Sequence, residues 1–323
     1  MDVRQLRYFL AIARCGSFSR AALELNVAQP ALSHHVANLE AELGVRLLDR
    51  SKRGVVATEC GVALMGHAEI ILRQMAHAMH DVQRRSDQPS GPVTIGLPSS
   101  LAIEMTLPLL KEIEARYPAI VPRIVENHSG YLADLLLNGQ VDIAMLFDVE
   151  EPGLYELELV LTEPLMLVSS VSGPFAGRTS VAMDELLALP LITTTAQNGL
   201  RRLIENKAAE RAIAATFRME LDSLQAIKRL VAGGYANSVL SWYAVREEAA
   251  AGSLHVAAIT EPELWRDVSL ARARDWPRSR AADVVWNICA DLVRQLTTSD
   301  HLRGKVPGKS RLIRKPPQSG GKT

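Results

Sequence analysis

Ser86-Asp87-Gln88-Pro89-Ser90-Gly91-Pro92 cuts the chain into two stretches of different hydrophobic period, which no single packed layer can serve. Ahead of it, apolar residues recur every three or four positions, as helices require. Behind it, short apolar runs alternate with helical patterns, as in sheets covered by helices. At 323 residues the chain exceeds one small domain, and its 48% apolar content supplies material for two cores.

The first stretch divides into three short helices. Residues 3–14 carry Leu6, Phe9, Leu10 and Ala13 at helical spacing, and Gly16 stops them. Ser17 is placed to cap a second helix bearing Ala21, Ala22 and Leu25, and Asn26 breaks that pattern. A third helix opens at Gln29 with Pro30 in its first turn, where proline is tolerated. It runs through Leu32, Val36, Leu39 and Leu43 to Gly44. Residues 45–57 then place Leu47-Leu48 and Val55-Val56 on either side of a basic turn, the pattern of a small β-wing. The expected unit is an all-α winged helix-turn-helix spanning 1–58.

Thr58 can cap a long helix reaching about Arg85. Within it Met65, Ala68, Leu72, Met75, Met79 and Val82 repeat at alternating steps of three and four, a seam for pairing with another helix. Met65, Leu72, Met75 and Met79 are therefore candidate dimerisation residues, and 59–91 is read as dimerisation helix and hinge. The competing reading packs this face onto the helix's own domain.

Past the linker, strands are expected at 93–97, 121–126, 142–147, 157–161, 165–170, 189–194, 216–221, 237–241 and 267–273. Helices are expected at 103–117, 131–138, 198–212, 223–232, 242–250 and 280–296. Such alternation predicts mostly parallel sheets with ligand sites where strands give way to helix N-termini. Three hydroxyl clusters sit at such places: Ser99-Ser100, Ser129 with Gly130, and Thr193-Thr194-Thr195. Phe147, ending its strand, can form an apolar wall. Each hydroxyl could simply cap its helix; together they point to a cleft for a small organic anion, through Ser99, Ser100, Ser129, Phe147, Thr194 and Thr195. From 298 on, seven basic residues against one acid, with paired prolines and glycines, predict a disordered basic tail.

The third helix carries the residue types a major-groove reader needs at its leading end. Gln29 can pair with the N7 and N6 of adenine, Ser33 suits either base type, and His34 reaches a base edge or a phosphate. Pro30 starts the same turn. Arg50, Lys52 and Arg53 of the wing suit phosphates or a narrow minor groove; Arg50 could equally brace the wing against Glu42 or Asp49. Net charge is +0 over the chain and +2 over residues 1–60, so one copy would hold DNA weakly and two copies on a palindrome are expected.

Several spaced motifs carry a family resemblance: Gly16-Ser17-Phe18-Ser19-Arg20-Ala21-Ala22, Ala28-Gln29-Pro30-Ala31-Leu32-Ser33, Leu39-Glu40-x-Glu42-Leu43-Gly44, Arg50-x-x-Arg53-Gly54-Val55 and Thr58-x-x-Gly61. In this order the chain resembles the LysR-type transcriptional regulators, and it looks closest to their nitrogen-assimilation-control branch. The resemblance implies a homodimer or homotetramer that bends double-stranded DNA and works through RNA polymerase. It also implies a periplasmic-binding-protein-like α/β domain over 92–297, with subdomains 92–162 plus 268–297 and 163–267. Two positions depart from the family pattern. Ala28 stands where serine is frequent, removing a helix cap, and His34 stands where arginine is frequent.

Other chemistries fit poorly. Cys15, Cys60 and Cys289 are far apart, which matches neither a disulfide framework nor a zinc site and suits reduced thiols in a cytoplasm. No run is long and apolar enough to span a membrane, and the start lacks a secretory pattern. His34 and His35 diverge by about 100° on a helix, so they do not form a metal pair. Gly308-Lys309-Ser310 lacks the upstream glycine of a phosphate loop, and no catalytic constellation or cofactor motif appears. The chain is expected to be a regulator rather than an enzyme. Two alternatives remain: a regulator of the same family that needs no effector, and a solute-binding protein, which would leave the first 86 residues without a role.

Overall fold

The computed structural model describes residues 1–51, 54–82, 88–195 and 198–308. The chain forms two units, one on either side of residues 83–87. The first contains α1 (Val3–Cys15), α2 (Phe18–Glu24), α3 (Gln29–Leu43), β1 (Leu48–Ser51), β2 (Gly54–Ala57) and α4 (Glu59–Val82). Asp2 and Gln5 cap α1 reciprocally, each side chain accepting from the other's backbone N–H. Gly16 and Gly44 end α1 and α3 in the left-handed conformation. Leu6, Phe9 and Ile12 of α1 meet Ala21, Leu32, Val36 and Leu39 in one buried core.

Ala68 of α4 belongs to that core, and Met65 and Leu72 pack against it. The start of the apolar seam is thus used inside the unit, as the competing reading had it. Beyond Leu72 the seam turns outward: Met75 and Met79 are exposed, and Ile71, one turn before Met75, is exposed beside them.

The second unit begins with β3 (Gly91–Pro98), α5 (Ser99–Arg116), β4 (Ile120–Asn127), α6 (Ser129–Leu137), β5 (Ile143–Phe147) and β6 (Tyr155–Ser169). There follow β7 (Ser180–Ala182), α7 (Met183–Leu187), β8 (Pro190–Thr193), α8 (Gly199–Glu210), β9 (Thr216–Glu220) and α9 (Leu224–Ala232). It closes with β10 (Asn237–Ser241), α10 (Trp242–Ala250), β11 (His255–Thr260), β12 (Trp265–Ala273) and α11 (Arg280–Thr298). The strands run in the order β4-β3-β5-β12-β6-β10-β8-β9, with β11 beside β6 and β7 beside β11.

Two lobes share β6. The first half of β6 pairs antiparallel with β12, from Tyr155↔Ala273 to Pro164↔Trp265, and its second half pairs with β10 and β11. Each lobe therefore keeps parallel pairs of its own, β3 with β4 and β5, β8 with β9 and β10. The joining ladders are antiparallel, so the sheet is mixed rather than mostly parallel.

Three further expectations need correcting. The strands expected at 157–161 and 165–170 are one continuous β6. The Thr162-Glu163-Pro164 break in its apolar pattern is no turn: Glu163 is 1% exposed and ion-paired to Arg266 of β12. Elements β7, α7 and β11 went unread because they are short or weakly patterned. Finally, residues 299–308 are not disordered. Leu302 is fully buried in the core of the first lobe, and Lys305 exchanges two backbone hydrogen bonds with Thr162 at 2.8 and 2.9 Å. Lys309 and the rest of the basic stretch lie outside the described residues.

Candidate DNA-reading surface and effector cleft

The tip of α3 is built without a side-chain cap, because Ala28 has no oxygen to offer, and Pro30 occupies the first turn. Gln29 instead donates from Nε2 to Ser33 Oγ at 2.9 Å, one turn along. A ring nitrogen of His34 meets the Asn38 amide at 3.1 Å. Gln29, Pro30 and His34 are exposed and Ser33 half-buried, while Leu32 and Val36 hold the opposite face in the core. His35 turns away to pack edge-on against Tyr8. The helix thus presents one polar stripe to solvent.

Arg50 takes neither expected brace. Its guanidinium carbon sits 4.2 Å from the centre of the Phe18 ring, so the wing strand β1 is pinned to α2 by a cation–π contact. Lys52 and Arg53 lie outside the described residues. Among those residues no group of three His, Cys, Asp or Glu is placed to hold a metal ion. No helix among them is long and apolar enough to cross a membrane. The three cysteines are free thiols, and burial pushes Cys289 up to about 12.

In the second unit the strand ends of both lobes enclose a cavity of about 230 Å³. Ser99, Ser100, Ser129, Phe147 and Thr194 all line it. Ser99 and Ser100 open α5, which has no side-chain cap, so its first-turn N–H groups lack intrahelical partners. Ser129 Oγ accepts from the Phe147 backbone N–H at 2.8 Å, tying the start of α6 to the end of β5. Thr194 is 8% exposed and its hydroxyl has no hydrogen-bond partner among the described residues. Thr195, expected in the same group, is outside the lining. Its N–H and Oγ donate to the Asp222 carboxylate at 3.0 and 2.9 Å, so the third threonine holds the β9–α9 turn.

Several lining residues escaped the sequence reading. Arg266, 5% exposed, lies with its guanidinium carbon 3.6 Å from the Phe147 ring centre, and its Nε donates to Glu163 at 2.8 Å. Burial pushes the Glu163 carboxyl above its ordinary range, and Arg266 pulls the other way. Glu126, Asn127, His128, Asn198, Asp222 and Ser241 complete the polar lining, against an apolar wall that includes Leu200, Ile227 and Leu240. His128 Nδ1 accepts from the Tyr131 N–H at 3.1 Å, leaving Nε2 to carry the ring proton when neutral. A charged residue inside an apolar strand, as Arg266 is, was the available signal; its partner lies 103 positions away and could not be read.

A winged helix-turn-helix followed by a two-lobed α/β unit is the architecture of a class of DNA-binding regulators. Residues 3–62 match the bacterial regulatory helix-turn-helix protein of the lysR family, and residues 86–294 match the LysR substrate binding domain. The chain belongs to the LysR family of DNA-binding transcriptional regulators. It is 34% identical to the nitrogen assimilation regulatory protein nac of Escherichia coli (strain K12), over 87% of this chain and 92% of that one. It is 28% identical to the HTH-type transcriptional regulator BbuR of Bordetella bronchiseptica, over 97% and 95% of the two chains. Full-length OxyR from Pseudomonas aeruginosa superposes with a TM-score of 0.68 at 25% identity, covering 95% of this chain and 99% of that one. CbnR complexed with its target DNA shares the fold, with a TM-score of 0.69 at 19% identity over 91% and 99%. These named relatives are regulators, not enzymes.

Proposed function

We propose that the protein acts in the cytoplasm as a homodimer or homotetramer, reading an operator through α3 and reporting a small effector to RNA polymerase through its cleft. Gln29, Ser33 and His34 face base edges and Pro30 sets the helix tip in the groove, while Arg50, Lys52 and Arg53 hold phosphates. The exposed stripe of Ile71, Met75 and Met79 on α4 supports pairing of two copies, with Met65 and Leu72 anchoring the helix to its own unit. A dimer doubles the phosphate contacts that a net +2 in residues 1–60 makes scarce.

The observation that carries the effector half is the cavity lined from both lobes, with the uncapped start of α5 on one side. An anionic group on a small organic molecule fits there, since free first-turn N–H groups and the helix dipole favour negative charge. Closing the two lobes would then change the spacing of the paired DNA-reading units. Genomic footprinting of the purified full-length protein, with and without a metabolite extract, tests both halves. A protected palindrome whose pattern changes with the extract is expected. No protected fragment at all would end the DNA reading, and an unchanging pattern would end the effector reading.

A further inference from the structure

The charges around the cleft specify more than an anion. Among the described residues, Arg266 is the only arginine or lysine in the lining, and it is committed to the buried Glu163. Two carboxylates, Glu126 and Asp222, line the same cavity, and neither has an arginine or lysine partner of its own in the lining. Glu126 ends β4 in one lobe and Asp222 follows β9 in the other. A ligand with anionic groups alone would add negative charge to a cavity whose rim already holds two such groups, both solvent-exposed. Beside Glu126, whose backbone is the register partner of Leu97, stands the uncapped start of α5 with Ser99 and Ser100, and beside Asp222 the unpartnered Thr194 hydroxyl. Leu200, Ile227 and Leu240 add apolar surface, in a space of about 230 Å³, below the usual range for drug-sized ligands.

We propose that the cleft takes an α-amino acid with an apolar side chain, bound as its zwitterion. The inference rests on the effector reading above. The carboxylate docks at the start of α5 with Ser99 and Ser100. The ammonium is held by Glu126 and Asp222, and the side chain lies on the Leu200 and Ile227 wall. Glu126 and Asp222 come from different lobes, so an ammonium group shared by both draws the lobes together, and binding and lobe closure are one event.

Calorimetric titration of the full-length protein with each of the twenty common L-amino acids tests this. The best binder is then compared with its N-acetyl derivative, its amide and the corresponding 2-oxo acid. Saturable binding of an apolar amino acid is expected, with each derivative weaker by about tenfold or more, the usual loss when a charge-assisted hydrogen bond goes. Glu126→Gln and Asp222→Asn should each weaken the amino acid by about tenfold, with unliganded melting temperatures showing that both variants fold. The Asp222→Asn change keeps an acceptor oxygen for the Thr195 hydroxyl. The double variant should accept the 2-oxo acid as readily as the amino acid. A 2-oxo acid or a dicarboxylate that binds wild type as tightly as any amino acid would overturn the inference and leave the effector reading standing. Silence toward all of these compounds would overturn the inference too, and a footprint unmoved by metabolite extract would then take the effector reading with it.

Discussion

Arg246 grips Glu104 through two nitrogens, Nε at 3.1 Å and Nη2 at 2.9 Å from the same carboxylate oxygen. The pair ties α10, which follows β10 of one lobe, to α5 of the other. Glu104 is 7% exposed, so water cannot replace the arginine. Arg246→Ala should destabilise the effector unit by about 2–4 kcal/mol, since it strands a buried carboxylate. Glu104→Gln, which keeps a neutral acceptor, should cost less. Urea unfolding of both variants measures this, and equal losses would mean that packing rather than charge matters.

The α3 tip and the wing should fail differently. Gln29→Ala should cost about 1–3 kcal/mol on the cognate operator, mainly at one base pair, and little on random DNA. Arg50→Ala should weaken binding to all sequences and reduce the salt slope by about one per copy. Binding isotherms at several salt concentrations decide between these roles. If Arg50 serves only to stack on Phe18, the variant will lower the melting temperature and leave the salt slope unchanged.

Acid should loosen the second unit through Glu156. A hydrogen bond from Arg272 holds its carboxyl below the usual glutamate value of 4.5, with Arg278 adding to the effect. A lowered carboxyl contributes stability above its unfolded value and loses it as the pH falls past that value. Wild type should therefore be more stable than Glu156→Gln above about pH 5, and the two curves should converge as the pH drops below 4.5. Curves that stay parallel across that range would show that the ion pair contributes nothing pH-dependent.

Residues 299–308 form a strap over the junction of the two lobes. Leu302 sits in the first lobe's core, Arg303 stacks 3.4 Å from the Trp242 ring centre on α10, and Lys305 lies 4.1 Å from the Trp265 ring centre on β12. Leu302→Ala should cost about 2–5 kcal/mol, as for other fully buried leucines. Gly304 has a φ of +154°, and a Cβ there would collide with the Thr162 carbonyl oxygen. Gly304→Ala should therefore release the strap and speed amide exchange at Thr162 and Lys305. Unchanged exchange would mean that the backbone accommodates the methyl group elsewhere.

The DNA-reading unit was largely legible because its signals are local. Gly16, Gly44 and Pro30 mark helix ends by their own backbone chemistry, and the Leu32-Val36-Leu39 stripe fixes which face of α3 is left to solvent. The cleft was legible only in part. Ser99, Ser100, Ser129, Phe147 and Thr194 stand at strand ends, and position alone puts them at the cavity. Thr195 stands there too, but whether a hydroxyl faces the cavity or a neighbouring carboxylate depends on Asp222, 27 residues away. Arg266 and Glu163 were hidden for the same reason. The strap was misread on composition: its basic residues looked like solvated charge, yet stacking on tryptophan rings lets Arg303 and Lys305 sit against folded structure. Leu302 and Val306, apolar residues in a polar run and both packed on the first lobe's core, are the signal for folded structure.

β6 runs unbroken from one lobe into the other, pairing with β12 over its first half and with β10 and β11 over its second. Neither lobe owns a complete sheet without it. It follows that the effector unit cannot be exchanged with a relative's half at a time: a chimaera joined between the lobes would have to rebuild the crossing strand in matching register on both sides, whereas one joined ahead of Gly91 leaves the ladders of the second unit whole. Recombination, natural or in the laboratory, should accordingly pass new ligand specificities between such regulators as whole units.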